Sequence, residues 1–192
     1  MKEIRVYFEG DGTLRGGFEK FFSETVELAR THRVDLRFIA ARDGPAAYEK
    51  AFRSDSEALN ILLKDSEEPL PRDVRVLCRR HGISPSRAKN VFWMVQLMES
   101  WFLADPVAVE RYFNDQKFSR RALKSTTDVE KIQKTEVNRR LRRATFRTKK
   151  GAYHKTKHAP HLLERLDPKL VKERAENCRK FFIAIQAMIE NQ

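Results

Sequence analysis

Four short, largely apolar runs, each followed by a stretch of another character, constrain this chain more than any other feature. They are IRVYF (Ile4–Phe8), VDLRFIA (Val34–Ala40), ALNILLKD (Ala58–Asp65) and NVFWMVQ (Asn90–Gln96). Between the first two, Leu14, Phe18, Phe21, Phe22 and Val26 recur near helical spacing, which predicts a helix over Leu14–Arg30. Pro45–Arg53 reads as a short helix opened by proline, and Arg72–His81 as one stopped by Gly82. Strand and helix therefore alternate. Neighbouring parallel strands need a crossover between them, so the pattern predicts an α/β fold with a mostly parallel sheet flanked by helices.

The second half reads differently. MESWFLAD predicts a helical turn. Asp105-Pro106 and Asp167-Pro168 each look like an N-cap followed by proline at the first helical position, and Glu173–Ile189 is an amphipathic helix. We expect residues 1–115 to form the α/β domain and 116–192 a basic helical extension packed on it. A chain of 192 residues can bury a core without covalent staples, and Cys78 and Cys178 cannot make a disulfide framework. No segment reads as a signal peptide, and no apolar run approaches the ~20 residues that span a bilayer. The expectation is a cytoplasmic protein without a membrane partner. The sequence leaves its oligomeric state open.

The net charge of +12 is concentrated. Residues 117–158 hold fifteen Lys/Arg against three Asp/Glu, which is the whole excess, and the rest of the chain is neutral. A general solubility requirement would spread such charge. A concentrated block suggests a polyanion, with nucleic acid first, DNA or RNA, and an acidic protein or lipid surface behind; the bland reading is a solvated helix face or a mobile insertion. The candidate phosphate contacts are Arg139, Arg140, Arg142, Arg143, Arg147, Lys149, Lys150 and Lys157.

Acids stand where the strands end. Glu9 closes the first strand in VYFEGDGT, Asp65 and Glu67 close the third in LLKDSEEP, and Glu99 follows the fourth. In parallel sheets, functional groups gather at the carboxyl ends of strands. The i, i+2 spacing of Asp65 and Glu67 puts both on one side if the chain is still extended there. Such an all-oxygen set suits Mg²⁺ or Mn²⁺, which stabilise charge on a phosphoryl group and activate water. Acids at strand ends are also common in ordinary turns, and Asp105 already serves as a cap.

An apolar strand ending in Glu-Gly, a helix, then an apolar strand closed by Asp-x-Glu resembles a Toprim domain, as in topoisomerases, primases and overcoming-lysogenization-defect nucleases. The whole chain resembles a bacterial Toprim-like family, the domain-of-unknown-function 4276 family. The resemblance rests on VYFEG, ILLKDSEEP, MVQLMESWFLADP, the YHKTKHAPHLLERLDP region and CRKFF. It implies that Glu9 acts as acid/base or ligand and that Asp65 and Glu67 hold Mg²⁺, with Glu67 where the Toprim pattern has Asp. It implies that Glu99 assists, and that Tyr153, Lys155 and His158 face the active centre and bind or stabilise a nucleic-acid phosphate, with Lys155 catalytic. It also implies a possible ATPase partner and a place in anti-phage defence.

Other patterns weigh less. The glycines of EGDGTLRGG miss the dinucleotide spacing, and there is no Walker lysine. His154, His158 and His161 fall at i, i+4, i+7, but no cysteine is near and Pro160 is expected to interrupt the helix. Trp93, Trp101, Phe102, Phe181 and Phe182 could stack on bases, though their apolar surroundings suit a core. The expected function is Mg²⁺-dependent cleavage of nucleic acid, with Glu9, Asp65 and Glu67 on the metal and Glu9, Glu99 and Lys155 catalytic. The alternative is a non-catalytic module that binds nucleic acid or an ATPase.

Overall fold

A computed structural model describes residues 2–54, 57–124 and 126–192. The first half runs β1 (Lys2–Glu9), α1 (Gly12–Phe21), α2 (Ser23–Thr31), β2 (Val34–Ala41), α3 (Gly44–Arg53), β3 (Leu59–Asp65), α4 (Val74–Arg80), a 3₁₀ turn and β4 (Val91–Met94). Then come α5 (Ser100–Ala104), α6 (Pro106–Phe113), α7 (Arg120–Leu123), α8 (Lys134–Thr145), α9 (Lys155–Leu163), α10 (Pro168–Arg174) and α11 (Glu176–Glu190). No helix among the described residues is long and apolar enough to cross a membrane.

The four strands form one sheet in the order β2-β1-β3-β4, with every pair parallel. The chain moves from β1 outward to β2, then crosses back to β3 and β4. The direction of winding reverses between β1 and β3, and open α/β sheets bind their ligands in the crevice at such a point. The reversal also puts the crossovers on opposite faces. Ile4, Val6, Phe8, Phe38, Ile61, Leu63 and Met94 join one core with α1, α2 and α11, while Tyr7, Leu62 and Trp93 join a second core with α3 and α4.

The expected helix over Leu14–Arg30 is two helices. They meet at Phe22, whose φ/ψ of −95°/22° leaves the helical range. The apolar stripe runs unbroken through this bend, so periodicity alone could not show it. Phe22 is fully buried and packs against Phe182 at 4.7 Å and Phe181 at 5.2 Å between ring centroids. Trp93, Trp101, Phe102, Phe181 and Phe182 are all core residues. One continuous cluster runs from Ile4 to Ile189, so both halves of the chain share the larger core.

The segment after α6 is tied down at several points. On α8, Val137, Leu141, Ala144 and Thr145 face inward at helical spacing and leave the arginines outside. The Gln96 side chain accepts from Lys134 N at 3.1 Å at the start of α8, and Asp115 accepts from Lys149 N at 2.7 Å. Glu130 accepts from Asn177 N at 2.8 Å and from its side chain at 2.7 Å, holding the first turn of α11. Asp105 caps α6 through Ala108 N at 3.0 Å, and its other oxygen accepts from Asp167 N, the cap of α10, at 3.0 Å. This acid is structural.

Candidate functional site

Strand parity sorts the acids. The β1–β3 register pairs Phe8 with Leu63, and continuing it by one sets Glu9 beside Lys64. Glu9 accepts from Lys64 Nζ at 2.7 Å. The Lys64 side chain is only 9% exposed and that of Glu9 is 56% exposed. A buried ammonium needs a partner, and Glu9 supplies it on the α3 side of the sheet. The start of α3 crowds this corner, because a Cβ on Gly44 would lie 3.1 Å from Glu9 N.

Asp65 lies one residue further along β3, so it points to the other face. There it pairs with Met94 on β4 and accepts from Met98 N at 2.7 Å. Its second oxygen accepts from Lys155 Nζ at 3.3 Å. Glu99, almost fully buried, approaches the same ammonium at 3.7 Å through Oε2, and its Oε1 accepts from the Tyr153 hydroxyl at 3.2 Å. Glu99 Oε2 is buried without a hydrogen bond. Two carboxylates, one from the end of β3 and one from the start of α5, thus converge on one cation.

The charges respond to this setting. Burial pushes the Asp65 carboxyl up to about 6; the Glu99 charge adds to the rise and Lys155 opposes it. Burial alone would lower the Lys155 ammonium, but the charges of Asp65 and Glu99 outweigh it and raise it. Lys155 is therefore a fixed positive charge. Burial, and then the Glu99 charge, raise the Tyr153 phenol well above its usual range, so it stays a hydrogen-bond donor.

Gly17 explains how Lys155 arrives. Helices α1 and α9 pack so closely there that a Cβ would lie 3.0 Å from the Pro160 carbonyl and 3.2 Å from Leu163. Helix α9 runs through Pro160 rather than stopping, at the cost of one backbone hydrogen bond. Lys155 is its first residue. Tyr153, just before it, is fixed by its own N–H donating to Thr145 Oγ1 at 2.7 Å.

Glu67 does not join Asp65. Its φ is +63°, so the chain has left the extended conformation in which i and i+2 share a side. Its N–H donates to the Gln96 carbonyl at 2.8 Å, and its side chain pairs with Lys134 at 3.1 Å, half exposed. The structure therefore separates Glu9, Asp65 and Glu67 into three ion pairs. Among the described residues, no group of three or more His, Cys, Asp or Glu is placed to hold a metal. The Asp65–Glu99 pair still fits a hard cation. Magnesium takes one or two carboxylates and completes its shell with water and phosphate oxygens, and Glu99 Oε2 has a lone pair to give.

The basic residues separate too. Arg139, Arg142, Arg143, Arg147, Lys149, Lys150 and Lys157 are exposed. Arg140 is partly buried and shares Glu136 with Arg139. His158 sits away from this surface: it is 1% exposed, its ring packs against Phe113 and Tyr153, and its Nδ1 accepts from His154 N at 2.9 Å. Tyr153 is likewise interior and serves Glu99.

A family described as "Domain of unknown function (DUF4276)" matches residues 13–186. The chain belongs to the DUF4276 family. No curated protein and no solved structure matches it. The match to DUF4276 takes in Asp65, Glu67, Glu99, Tyr153, Lys155 and the whole basic segment, and Glu9 precedes it. The sequence reading included Lys155 but missed Lys64 and Lys134, the partners of Glu9 and Glu67. Lys64 carried a signal: a lysine inside an apolar strand, next to the Asp65 that closes it. Lys134 carried none, since it is one cation among many.

Proposed function

We propose that this protein is a metal-dependent nuclease of Toprim type, cleaving nucleic-acid phosphodiesters at the Asp65–Glu99–Lys155 site. The observation that carries this reading is the convergence of Asp65 and Glu99, beyond the carboxyl ends of β3 and β4, on one ammonium, 3.3 and 3.7 Å from Lys155 Nζ. Asp65 and Glu99 would hold the Mg²⁺ or Mn²⁺. Such a cation supplies phosphoryl charge stabilisation and an activated water. Lys155, held protonated, offers its charge to a non-bridging phosphate oxygen, and it is half exposed at the mouth of the site. Tyr153 orients Glu99 by donating to Oε1. The exposed arginines and lysines of α8 and the following loop hold the backbone, a grip that is salt-dependent and indifferent to sequence. An ATPase partner and a role in anti-phage defence extend the proposal on the family resemblance alone.

The test is cleavage of labelled DNA and RNA in Mg²⁺ and in Mn²⁺ by the full chain and by Glu99→Gln. Cleavage that Glu99→Gln abolishes, with low-salt binding intact, supports the proposal. Binding without cleavage by the wild type, with and without an added ATPase from a neighbouring gene, favours the second reading. That reading is a non-catalytic nucleic-acid-binding module. It draws on one observation, that each strand-end acid already has a lysine partner.

A further inference from the structure

The solvent face of α8 carries one residue that packing does not require. Phe146, at the C-terminal cap of the helix, is 55% exposed. Among the described residues only Ile183 is a comparably exposed large hydrophobic. Phe146 lies three residues after Arg143 and seven after Arg139, so the three share one stripe, opposite the buried Val137, Leu141 and Ala144. The Arg147 guanidinium lies 5.0 Å from its ring centroid. Beside this stripe, α7 and α8 line an open pocket of about 550 Å³. Arg121, Lys124, Arg139, Arg140 and Arg143 line it with Glu136 as the one acid. Arg143 belongs to both the pocket and the stripe.

The Phe146 ring is open to water amid cations and available to stack, with Arg147 beside it. A duplex offers phosphates but keeps its base faces stacked. An unpaired strand offers both phosphates and free π-faces, and proteins that hold single strands combine a basic groove with aromatic platforms. We propose that the α7–α8 face binds single-stranded nucleic acid, with backbone phosphate in the arginine pocket and an unpaired base stacked on Phe146. This names the strand form of the substrate and rests on the nucleic-acid reading above. The face is assembled from elements separate from Asp65 and Glu99, so binding is measurable without turnover.

The experiment is fluorescence anisotropy on the full chain without divalent metal, using labelled oligothymidine, oligouridine and a duplex of equal length. The wild type is expected to prefer the single strands. Phe146→Ala should weaken single-strand binding roughly 5- to 150-fold, the range of one lost base stack. Its slope of log affinity against log salt should stay unchanged, and Phe146→Trp should restore affinity. Arg139→Ala with Arg143→Ala should instead flatten that slope by about 1.4 for a single strand. The proposal is overturned if Phe146→Ala binds oligothymidine like wild type, or if the duplex binds equally well. If the wild type binds none of the three probes, the nucleic-acid reading itself fails, and this proposal with it.

Discussion

Glu9 and Asp65 end adjacent parallel strands, one residue apart in register, yet they inhabit opposite settings. Glu9 is mostly exposed and neutralises a buried lysine on the α3 side. Asp65 is mostly buried and meets a half-exposed lysine on the side shared by α1, α9 and α11. In the first pair the acid serves the lysine. In the second the lysine serves two acids, because Glu99 shares it. Position at a strand tip decides that a carboxylate reaches the crevice. Strand parity decides which crevice wall it joins and whether it is a counter-ion or part of a convergent site.

The strongest way to break this comparison is to neutralise each acid in turn. Asp65→Asn should reduce cleavage at least 100-fold by initial rate on a labelled oligonucleotide, on the order of what one preorganised electrostatic group contributes. Glu9→Gln should keep cleavage within a few-fold. Equal losses would mean that the two acids work together in a rearranged state, and the separation drawn here would fail.

The next effect is on stability against pH. The Asp65 carboxyl titrates near 6 in the folded protein and in the ordinary aspartate range when unfolded. Between roughly pH 4 and 6 the folded state therefore holds a proton that the unfolded state releases. Stability from this group falls as pH rises through that window. The stability of wild type relative to Asp65→Asn should drift downward by on the order of 2–3 kcal/mol across it and flatten above about pH 7. Urea midpoints at closely spaced pH values measure this, and a flat difference would show that burial does not disfavour the charged form.

Much of this arrangement was legible in the sequence, because it follows from periodicity and caps. The four strands, the parallel class, the caps at Asp105 and Asp167 and the aromatic core all came from local pattern. The site came less completely. Parity within β1 and β3 can be counted, but only the pairing of Phe8 with Leu63 fixes Glu9 against Lys64. Lys155 is 90 residues from Asp65, and its reach depends on α9 seating against Gly17. The positive φ at Glu67 has no sequence signal, since glycine and asparagine are the usual residues there. The bend at Phe22 and the passage of α9 through Pro160 are tertiary choices that override local preference.

Two glycines sharpen the contrast between the walls. Gly44 lets α3 approach Glu9, and Gly17 lets α9 approach α1. In both, an added Cβ would sit about as close as 3.0–3.1 Å to backbone atoms, which do not move freely. Gly44→Ala and Gly17→Ala should each cost about 1–3 kcal/mol in chemical denaturation. Only Gly17→Ala should also lower cleavage, because it shifts the helix that carries Lys155. Equal cleavage in both variants would mean that the Lys155 contact tolerates movement of α9.

The smallest expected effect tests the acid that the fold sets apart. Glu67 leaves β3 through a left-handed turn and spends its charge on Lys134, both side chains close to half exposed. Exposed pairs of this kind contribute about 0.2–1 kcal/mol. Glu67→Gln should therefore change stability by no more than about 1 kcal/mol and leave cleavage unchanged. Glu67→Asp, which gives the Asp-x-Asp pattern of Toprim sites, should not raise it. The turn, and not the extra methylene of Glu67, sets where this side chain points. A large loss of cleavage in Glu67→Gln would mean that the turn unwinds when substrate or metal arrives. Asp65 and Glu67 would then close together, and the two-carboxylate site seen here would be the resting form of a three-carboxylate one.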